Sequence, residues 1–482
     1  MKWGLVMPAR NVVWICADDY TPAACGAYGS RVSRTPSLNR LAADGARFDR
    51  AFAAAPLSTP SRQSFFTGRY PRAIGVTLTP TPLPATEITL PARLQAAGYL
   101  TAAFGKTHYY APRPSDWGVR VDRSEYAEWL AAFGGYTEVT GERVLGPWAP
   151  FADPARVWLN ADVRPFGGLD AEMQGTYYAT RAADFLRSRP RQPFFCYVSF
   201  EETHSPFRFP ADWSHRHTAD EFTAPAVTSA DAAAVPAVFH DLTDADRRGI
   251  AAAYHTCGGL MDKNVGLVLD AVDAAGLSDD TFVRFTSDHG YLLGQHGRFE
   301  KHCSYDPAVR ACLIVRVPGA SGGRTTAALV SLIDLFPTVL EWCGVPVSAN
   351  VHGRSLLSFL AGTSDTHRHF VVAEYCDNAE IMVRTDRWKW VYSTGTRRRR
   401  DGYATPGPLP GITVRLFDLH ADPDELHDLS ADPRHRWVRE ELTEVLVKHV
   451  RATDRCPELL PTGGGVDDLM QVALWPPEVP RP

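Results

Sequence analysis

The sequence lacks any strong excess of charge of one sign. Fifty Lys and Arg residues face fifty-five Asp and Glu, a net charge of −5 over 482 residues. That balance excludes a polyanion binder of the nucleic-acid kind, whose footprint is strongly basic. A disordered chain is excluded too, because 45% of the residues are hydrophobic and only 22% charged, enough apolar surface to offset chain entropy. Paired cysteines are lacking. The nine cysteines are an odd number without a C-x-x-C pair, which argues against a disulfide framework or a zinc knuckle; several stand inside apolar runs as small core residues. No stretch approaches the roughly 20 apolar residues of a membrane span. The N-terminal MKWGLVMPAR has too short an apolar stretch for a secretory signal. These absences predict a reduced, cytoplasmic protein with neither a membrane nor a nucleic-acid partner. The length exceeds what one hydrophobic core serves, and a change of pattern places a boundary near residue 365, giving domains 1–365 and 366–482.

What is present is a recurring arrangement of apolar runs that end in ionisable clusters. Residues 11–17 (NVVWICA) run into Asp18 and Asp19, and residues 99–104 (YLTAAF) close at Gly105 before Lys106 and His108. Residues 194–200 (FFCYVSF) precede His204, and residues 282–286 (FVRFT) precede Asp288 and His289. Each run reads as a buried strand. Helical spacing at 36–48, ended by Gly45, and at 246–275 predicts helices between them. Strands alternating with helices predict an α/β fold with a large mixed, mostly parallel sheet flanked by helices. Ligands gather at the carboxyl ends of such strands. Four strands deliver ionisable residues at that end, and the convergence points to an enzyme. Beyond the boundary, residues 370–374, 381–384, 388–392 and 415–419 predict short antiparallel strands, and 438–450 an amphipathic helix: a smaller α+β domain. Residues 457–482 read as a Pro-rich extension, with a homo-oligomer contact as one role for it.

The stretch 57–69, LSTPSRQSFFTGR, carries the most specific pattern. Pro60 suits a first helical position and Thr59 a cap, which places Ser58 just outside the positive end of a short helix ending at Gly68. An oxyanion is stabilised at such a point by free amides and the helix dipole, and Arg62 can reach back to it. A plain capped helix explains the same letters. Asp18-Asp19 reads either as half of a divalent-metal site or as a solvated turn, and Asp288-His289 has the same two readings. Together, three carboxylates and an imidazole, with an oxygen from Ser58, suit one calcium-like or manganese-like ion. Lys106, His108, His204 and Lys301 are candidates for holding a tetrahedral anion and moving a proton, although each alone also fits a surface Lys or a core His. The Arg397–Arg400 run reads as a solvated loop. Trp129, Phe133, Tyr136, Trp148 and Trp158 either line a substrate pocket or cover the core.

Taken together, these residues resemble the type I sulfatase family of the alkaline-phosphatase superfamily. Its C/S-x-P-x-R helix with T-G-R stands here as S-T-P-S-R-Q-S-F-F-T-G-R. The paired Asp with TPSLNRLAADG, the G-K-x-H at 105–108, the H-S-P at 204–206 and SDHGYLLGQHGRFEK at 287–301 follow in the family's order. The resemblance implies hydrolysis of sulfate monoesters to an alcohol and inorganic sulfate. It implies that a maturation enzyme converts Ser58 to formylglycine. Asp18, Asp19, Ser58, Asp288 and His289 would hold one divalent cation, usually calcium, with manganese or magnesium as alternatives. Arg62 would fix the geometry at position 58, with Lys106, His108, His204 and Lys301 around the sulfate. In that scheme the hydrated aldehyde attacks sulfur, a His protonates the departing alcohol, and the second hydroxyl expels sulfate by breaking a C–O bond, which a plain serine ester cannot do.

Most family members outside anaerobes carry Cys where this chain has Ser58. That leaves a Ser-type sulfatase matured by a radical enzyme, an engineered Cys-to-Ser variant, or Ser written for the modified residue. Two rival activities accompany the sulfatase reading. One is a phosphonate monoester or phosphodiester hydrolase of the same superfamily, whose members also pair Asp with His at the metal. The other is a non-catalytic sulfate-ester-binding relative with Ser58 unconverted. The T-G-R and H-S-P elements favour the sulfatase, and the full proton-transfer set disfavours the binding shell. Aryl, choline and sugar sulfates all remain as substrates at this stage.

Overall fold

The computed structural model describes residues 10–110, 116–137, 159–163, 165–364, 366–395 and 411–479. Trp148, Trp158, residue 365 and the Arg397–Arg400 run lie outside the described residues. Nine strands form one sheet: β1 (Asn11–Ala17), β2 (Ala46–Phe52), β3 (Leu100–Gly105), β4 (Val119–Val121), β5 (Phe194–Ser199), β6 (Thr281–Ser287), β7 (Arg310–Ala311), β8 (Leu313–Arg316) and β9 (Arg324–Ser331). Their order is β4-β3-β5-β1-β6-β8-β2-β7, with β9 paired to β2. β1 lies between β5 and β6 and runs parallel to both, while β8 returns antiparallel to β6. The sheet is therefore mixed and mostly parallel.

Both faces of the central strands are covered, which is why they read as unbroken apolar runs. Val13, Ile15 and Ala17 of β1 pack with helices Pro36–Asp44, Gln174–Arg187 and Asp244–Ala274 on one face. Val12, Trp14 and Cys16 point the other way, against helices Ser58–Thr67 and Leu335–Trp342.

Four antiparallel strands make a second sheet: β10 (Phe370–Tyr375), β11 (Glu380–Thr385), β12 (Trp388–Ser393) and β13 (Thr413–Asp418). Helix Arg436–Thr453 covers one face through Val438, Leu442, Leu446 and Val450. The other face, with Val371, Met382 and Phe417, packs on Phe52, Leu292 and Val309 beside the large sheet. Buried Lys389 joins the two parts, its Nζ lying 2.8 Å from Asp306 and 2.7 Å from Glu425.

The Pro-rich extension is corrected by the structure. Helix Val466–Ala473 lies within it, and Leu469, Met470 and Ala473 are buried in the C-terminal core. The prolines flank that segment rather than interrupt it, and Asp467 and Asp468 occupy its first turn, where carboxylates favour a helix. No helix among the described residues is long and apolar enough to cross a membrane.

Candidate active site

The site is assembled where β1, β3, β5 and β6 end. Asp18 and Asp19 follow β1 directly, and Asp19 adopts a left-handed φ of 57°, a strained region for a residue with a side chain. The turn is held from three sides. The Asp19 amide donates to Asp288 Oδ1 at 3.1 Å, and its carbonyl accepts from Tyr254 OH at 2.6 Å and Thr203 Oγ1 at 3.3 Å. At the end of β6 the Asp288 amide donates to the Ala17 carbonyl at 3.1 Å, so the two strand ends are stitched together by main chain.

The Ser58 helix differs from its expected start. It begins at Ser58 itself, with Leu57 at the cap position and no side-chain cap. Thr59 is therefore not the cap; its Oγ1 accepts from Thr79 Oγ1 at 2.8 Å. All ten residues of the helix are buried, Arg62 and Gln63 included, which a plain capped surface helix would not do. Gly68 ends it at φ 70°, and a Cβ there would come within 2.9 Å of Phe336 and 2.8 Å of Val351, so both space and backbone require glycine.

Ser58 Oγ donates to Asp18 Oδ1 at 2.9 Å and lies 3.0 Å from His289 Nε2. The other ring nitrogen, Nδ1, is 3.0 Å from the Gly290 carbonyl. A carbonyl only accepts, so Nδ1 carries a proton, and Nε2 is the ring nitrogen that faces the centre. Donor atoms of Asp18, Asp19, Asp288 and His289 all lie within 4.8 Å of one another, and all four residues are buried. Three carboxylate oxygens and an imidazole nitrogen converging on one point fit a hard or borderline divalent cation.

Cationic side chains surround this cluster. Lys301 Nζ is 2.6 Å from Asp19 Oδ1, Lys106 Nζ contacts Asp18, and Arg62 Nε donates to Asp288 Oδ2 at 2.8 Å. Burial opposes the Asp18 charge, yet Lys106 and then Arg62 hold its carboxyl well below the usual range. Asp19 behaves oppositely: burial pushes it up to about 6 against the pull of Lys301. Arg62 Nη1 lies within hydrogen-bond reach of Ser199 Oγ at 2.8 Å, Tyr197 OH at 3.0 Å and the Lys106 carbonyl at 3.2 Å. It thus ties the ends of β3, β5 and β6 to the Ser58 helix.

The sulfatase family model matches residues 10–345, and a model of the N-sulphoglucosamine sulphohydrolase C-terminal region matches 294–406. The chain belongs to the sulfatase family. It is 28% identical to the steryl-sulfatase of Mus musculus, over 93% of this chain and 83% of that one. Identity to the N-acetylglucosamine-6-O-sulfatase of Bacteroides thetaiotaomicron is 23%, over 90% of this chain and 85% of that one. The fold matches the phosphonate monoester hydrolase of Agrobacterium radiobacter with a TM-score of 0.77 at 23% identity, covering 94% of this chain and 98% of that one. As a sulfatase the protein is a sulfuric ester hydrolase, and the buried Asp/His cluster is its candidate metal site.

In this sulfatase the two remaining candidates stand at the rim of the cluster. His108 sits at a left-handed φ of 63°, with Nδ1 3.5 Å from Thr59 Oγ1; burial and then Lys106 keep its imidazole well below its ordinary range. His204 Nδ1 is 2.7 Å from the Ser205 carbonyl, and burial, followed by Lys301, pushes the ring down to about 4. Two features of the sulfatase site were not expected. Tyr110 OH is 2.5 Å from His108 Nε2, and a cavity of about 210 Å³ opens beside His204, with Glu201 and Glu202 in its wall. The E-E-T-H letters after β5 were a signal for the second; nothing local marked Tyr110. Of the aromatics, Tyr136 lines that cavity, Trp129 packs on Tyr177 with centroids 4.9 Å apart, and Phe133 is exposed.

Proposed function

We propose that this sulfatase hydrolyses sulfate monoesters through a formylglycine made from Ser58, with one divalent cation held by Asp18, Asp19, Asp288 and His289. Calcium is the first choice of ion, with manganese and magnesium as alternatives. The observation that carries the reading is the position of Ser58 Oγ, 2.9 Å from Asp18 and 3.0 Å from His289 in a wholly buried helix.

A cation bound there supplies positive charge against the oxygens of the transferring group. Formylglycine supplies, as its hydrate, a nucleophile that can be released by C–O cleavage. The chain's own residues do the rest. Lys106 and Lys301 hold ammonium groups on opposite carboxylates of the cluster and offer their remaining donors to sulfate oxygens. His204 gives a proton to the departing alcohol oxygen. His108, beside Thr59 in the first turn of the same helix, is the candidate to take up the proton of the position-58 hydroxyl. Arg62 faces the carboxylates and strand ends rather than the ester, so its part is to orient.

Release of inorganic sulfate from 4-nitrophenyl sulfate and from sugar sulfates, followed by ion chromatography with added calcium or manganese, tests this. Cation-dependent release is expected, and its absence with every ester counts against the reading. A second reading has His289 as its specific observation: an imidazole in the metal set also suits a phosphonate monoester hydrolase. Relative rates on 4-nitrophenyl sulfate and a phenyl phosphonate monoester separate the two.

A further inference from the structure

Hydrolysis of a sulfate monoester releases a proton. At neutral pH the monoester anion and water give an alcohol, the sulfate dianion and one proton, so each turnover must return a proton from the buried centre to water. His108 stands where that proton is taken up, yet it is a poor store for one. Burial and then the charge of Lys106 keep its imidazole well below its ordinary range, and a proton placed there must be passed on.

The two ring nitrogens face different partners. Nδ1 is 3.5 Å from Thr59 Oγ1, on the side of the Ser58 helix, and Nε2 is 2.5 Å from Tyr110 OH. Thr59 Oγ1 already accepts from Thr79 Oγ1 at 2.8 Å, which leaves its own proton for Nδ1. A neutral imidazole has one donor and one acceptor nitrogen. With Nδ1 accepting, Nε2 carries the proton and donates to the phenol oxygen. Tyr110 is 46% exposed, and its own O–H is left for water. The hydrogen bonds therefore run one way, from Thr79 through Thr59, His108 and Tyr110 to solvent.

The backbone is shaped to keep this pair. His108 and Tyr110 both take a left-handed φ, 63° and 52°, which residues with side chains keep only where the surroundings hold them there. Between them Tyr109 is buried, its ring 5.3 Å from Phe66 and its carbonyl accepting from the Leu83 amide at 2.9 Å. Gln63 Nε2, from the Ser58 helix, donates to the His108 carbonyl at 3.0 Å. The His108 and Tyr110 rings then lie 4.7 Å apart, tilted by 38°. Two strained turns flanking one buried anchor bring the phenol oxygen onto Nε2.

We propose that Tyr110 is a positioning residue that acts through His108 as the exit of a proton path from the active centre. The proposal rests on the sulfate-ester reading above and concerns how its proton leaves. The position-58 hydroxyl gives its proton to Nδ1, which makes an imidazolium with N–H on both nitrogens. Nε2 passes its proton to the phenol oxygen as the phenol's own proton passes to water, and His108 is neutral again. Exchange with water interchanges the tautomers of the neutral ring, which resets it for the next turnover.

The test uses Tyr110→Phe, which keeps the ring on His108 and removes the hydroxyl alone. The ester is 4-nitrophenyl sulfate, whose phenolate departs without the His204 proton, so the two proton movements are separated. Tyr110→Phe should lower kcat about tenfold, less than the roughly 10²–10⁴-fold of a group that itself transfers the proton, with KM little changed. Imidazole buffer, a mobile proton acceptor, should restore kcat in the variant and leave wild type unmoved. A merely structural loss would not answer to the buffer. Independently of turnover, two-bond 1H–15N NMR of histidine-labelled protein, with His108 assigned by its loss in His108→Gln, should show wild-type His108 as the Nε2–H tautomer. An unchanged kcat in Tyr110→Phe, a loss indifferent to imidazole, or the Nδ1–H tautomer overturns the proposal. If no ester is turned over, the sulfate-ester reading fails, and the tautomer alone decides the path: Nε2–H supports it and Nδ1–H overturns it.

Discussion

Arg62 and Asp288 form an ion pair sealed from solvent, with Nε 2.8 Å from Oδ2 and neither side chain exposed. This pair locks the Ser58 helix to the end of β6, so the residue at position 58 and the cation-facing carboxylates cannot drift apart. Removing one partner of a buried pair strands the other charge. Arg62→Leu should therefore lose about 3–5 kcal/mol of stability in urea unfolding. Arg62→Lys should recover only part of it, because an ammonium cannot reproduce the guanidinium fork that also reaches Ser199 and Tyr197.

Cation binding should appear in stability as well as in rate. Three carboxylates with donor atoms inside 4.8 Å of one another repel one another, and a cation among them offsets that cost beyond what Lys106, Lys301 and Arg62 supply. A ligand at 100 times its dissociation constant stabilises the folded state by about 2.7 kcal/mol. Calcium or manganese should raise the melting temperature of chelator-treated wild type, and Asp19→Asn should flatten that response.

Proton donation by His204 predicts a dependence on the leaving group. His204→Gln should lower kcat/KM on an alkyl sulfate by about 10²–10⁴-fold. On 4-nitrophenyl sulfate the loss should be much smaller, since that phenolate departs without a proton. The pH profile follows from the depressed ring, which burial and then Lys301 hold down to about 4. A lowered imidazole is neutral at neutral pH, and its protonated fraction grows as pH falls. Wild-type kcat/KM on the alkyl ester should therefore rise from about pH 7 towards about pH 5, and His204→Gln should lack that limb.

The C-terminal tail reaches the same helix from behind. Glu478 accepts from Thr77 Oγ1 at 2.7 Å, the Leu78 amide at 3.0 Å and Thr81 Oγ1 at 3.2 Å. Through that loop, Thr79 Oγ1 donates to Thr59 Oγ1 at 2.8 Å, and the Thr81 carbonyl accepts from Gln63 Nε2 at 2.9 Å. Glu478 is a positioning residue in this scheme. Glu478→Ala should lower kcat about tenfold through loosened geometry, with cation affinity, read from the calcium-induced melting shift, little changed.

The legible parts of the fold were those buried on both faces. β1, β5 and β6 stood out as apolar runs because helices cover each side of them, and Asp18, Asp19, Asp288 and His289 were visible as ionisable residues at their ends. β2 was not visible, because Arg47, Asp49 and Arg50 lie half-buried along a peripheral strand and break the alternation. The start of the Ser58 helix was misplaced since cap chemistry pointed to Thr59, whereas Leu57 takes that position and Thr59 is used by Thr79. Proline content hid helix Val466–Ala473. Tyr110 could not be read locally, because a left-handed backbone brings it to His108.

Conversion of Ser58 is tested most directly by the mass of the tryptic peptide spanning residues 51–62, AFAAAPLSTPSR. In protein that releases sulfate from an ester, a species two hydrogens lighter than the serine form, or its hydrate, is expected. The serine form alone in such an active preparation would contradict the proposed nucleophile.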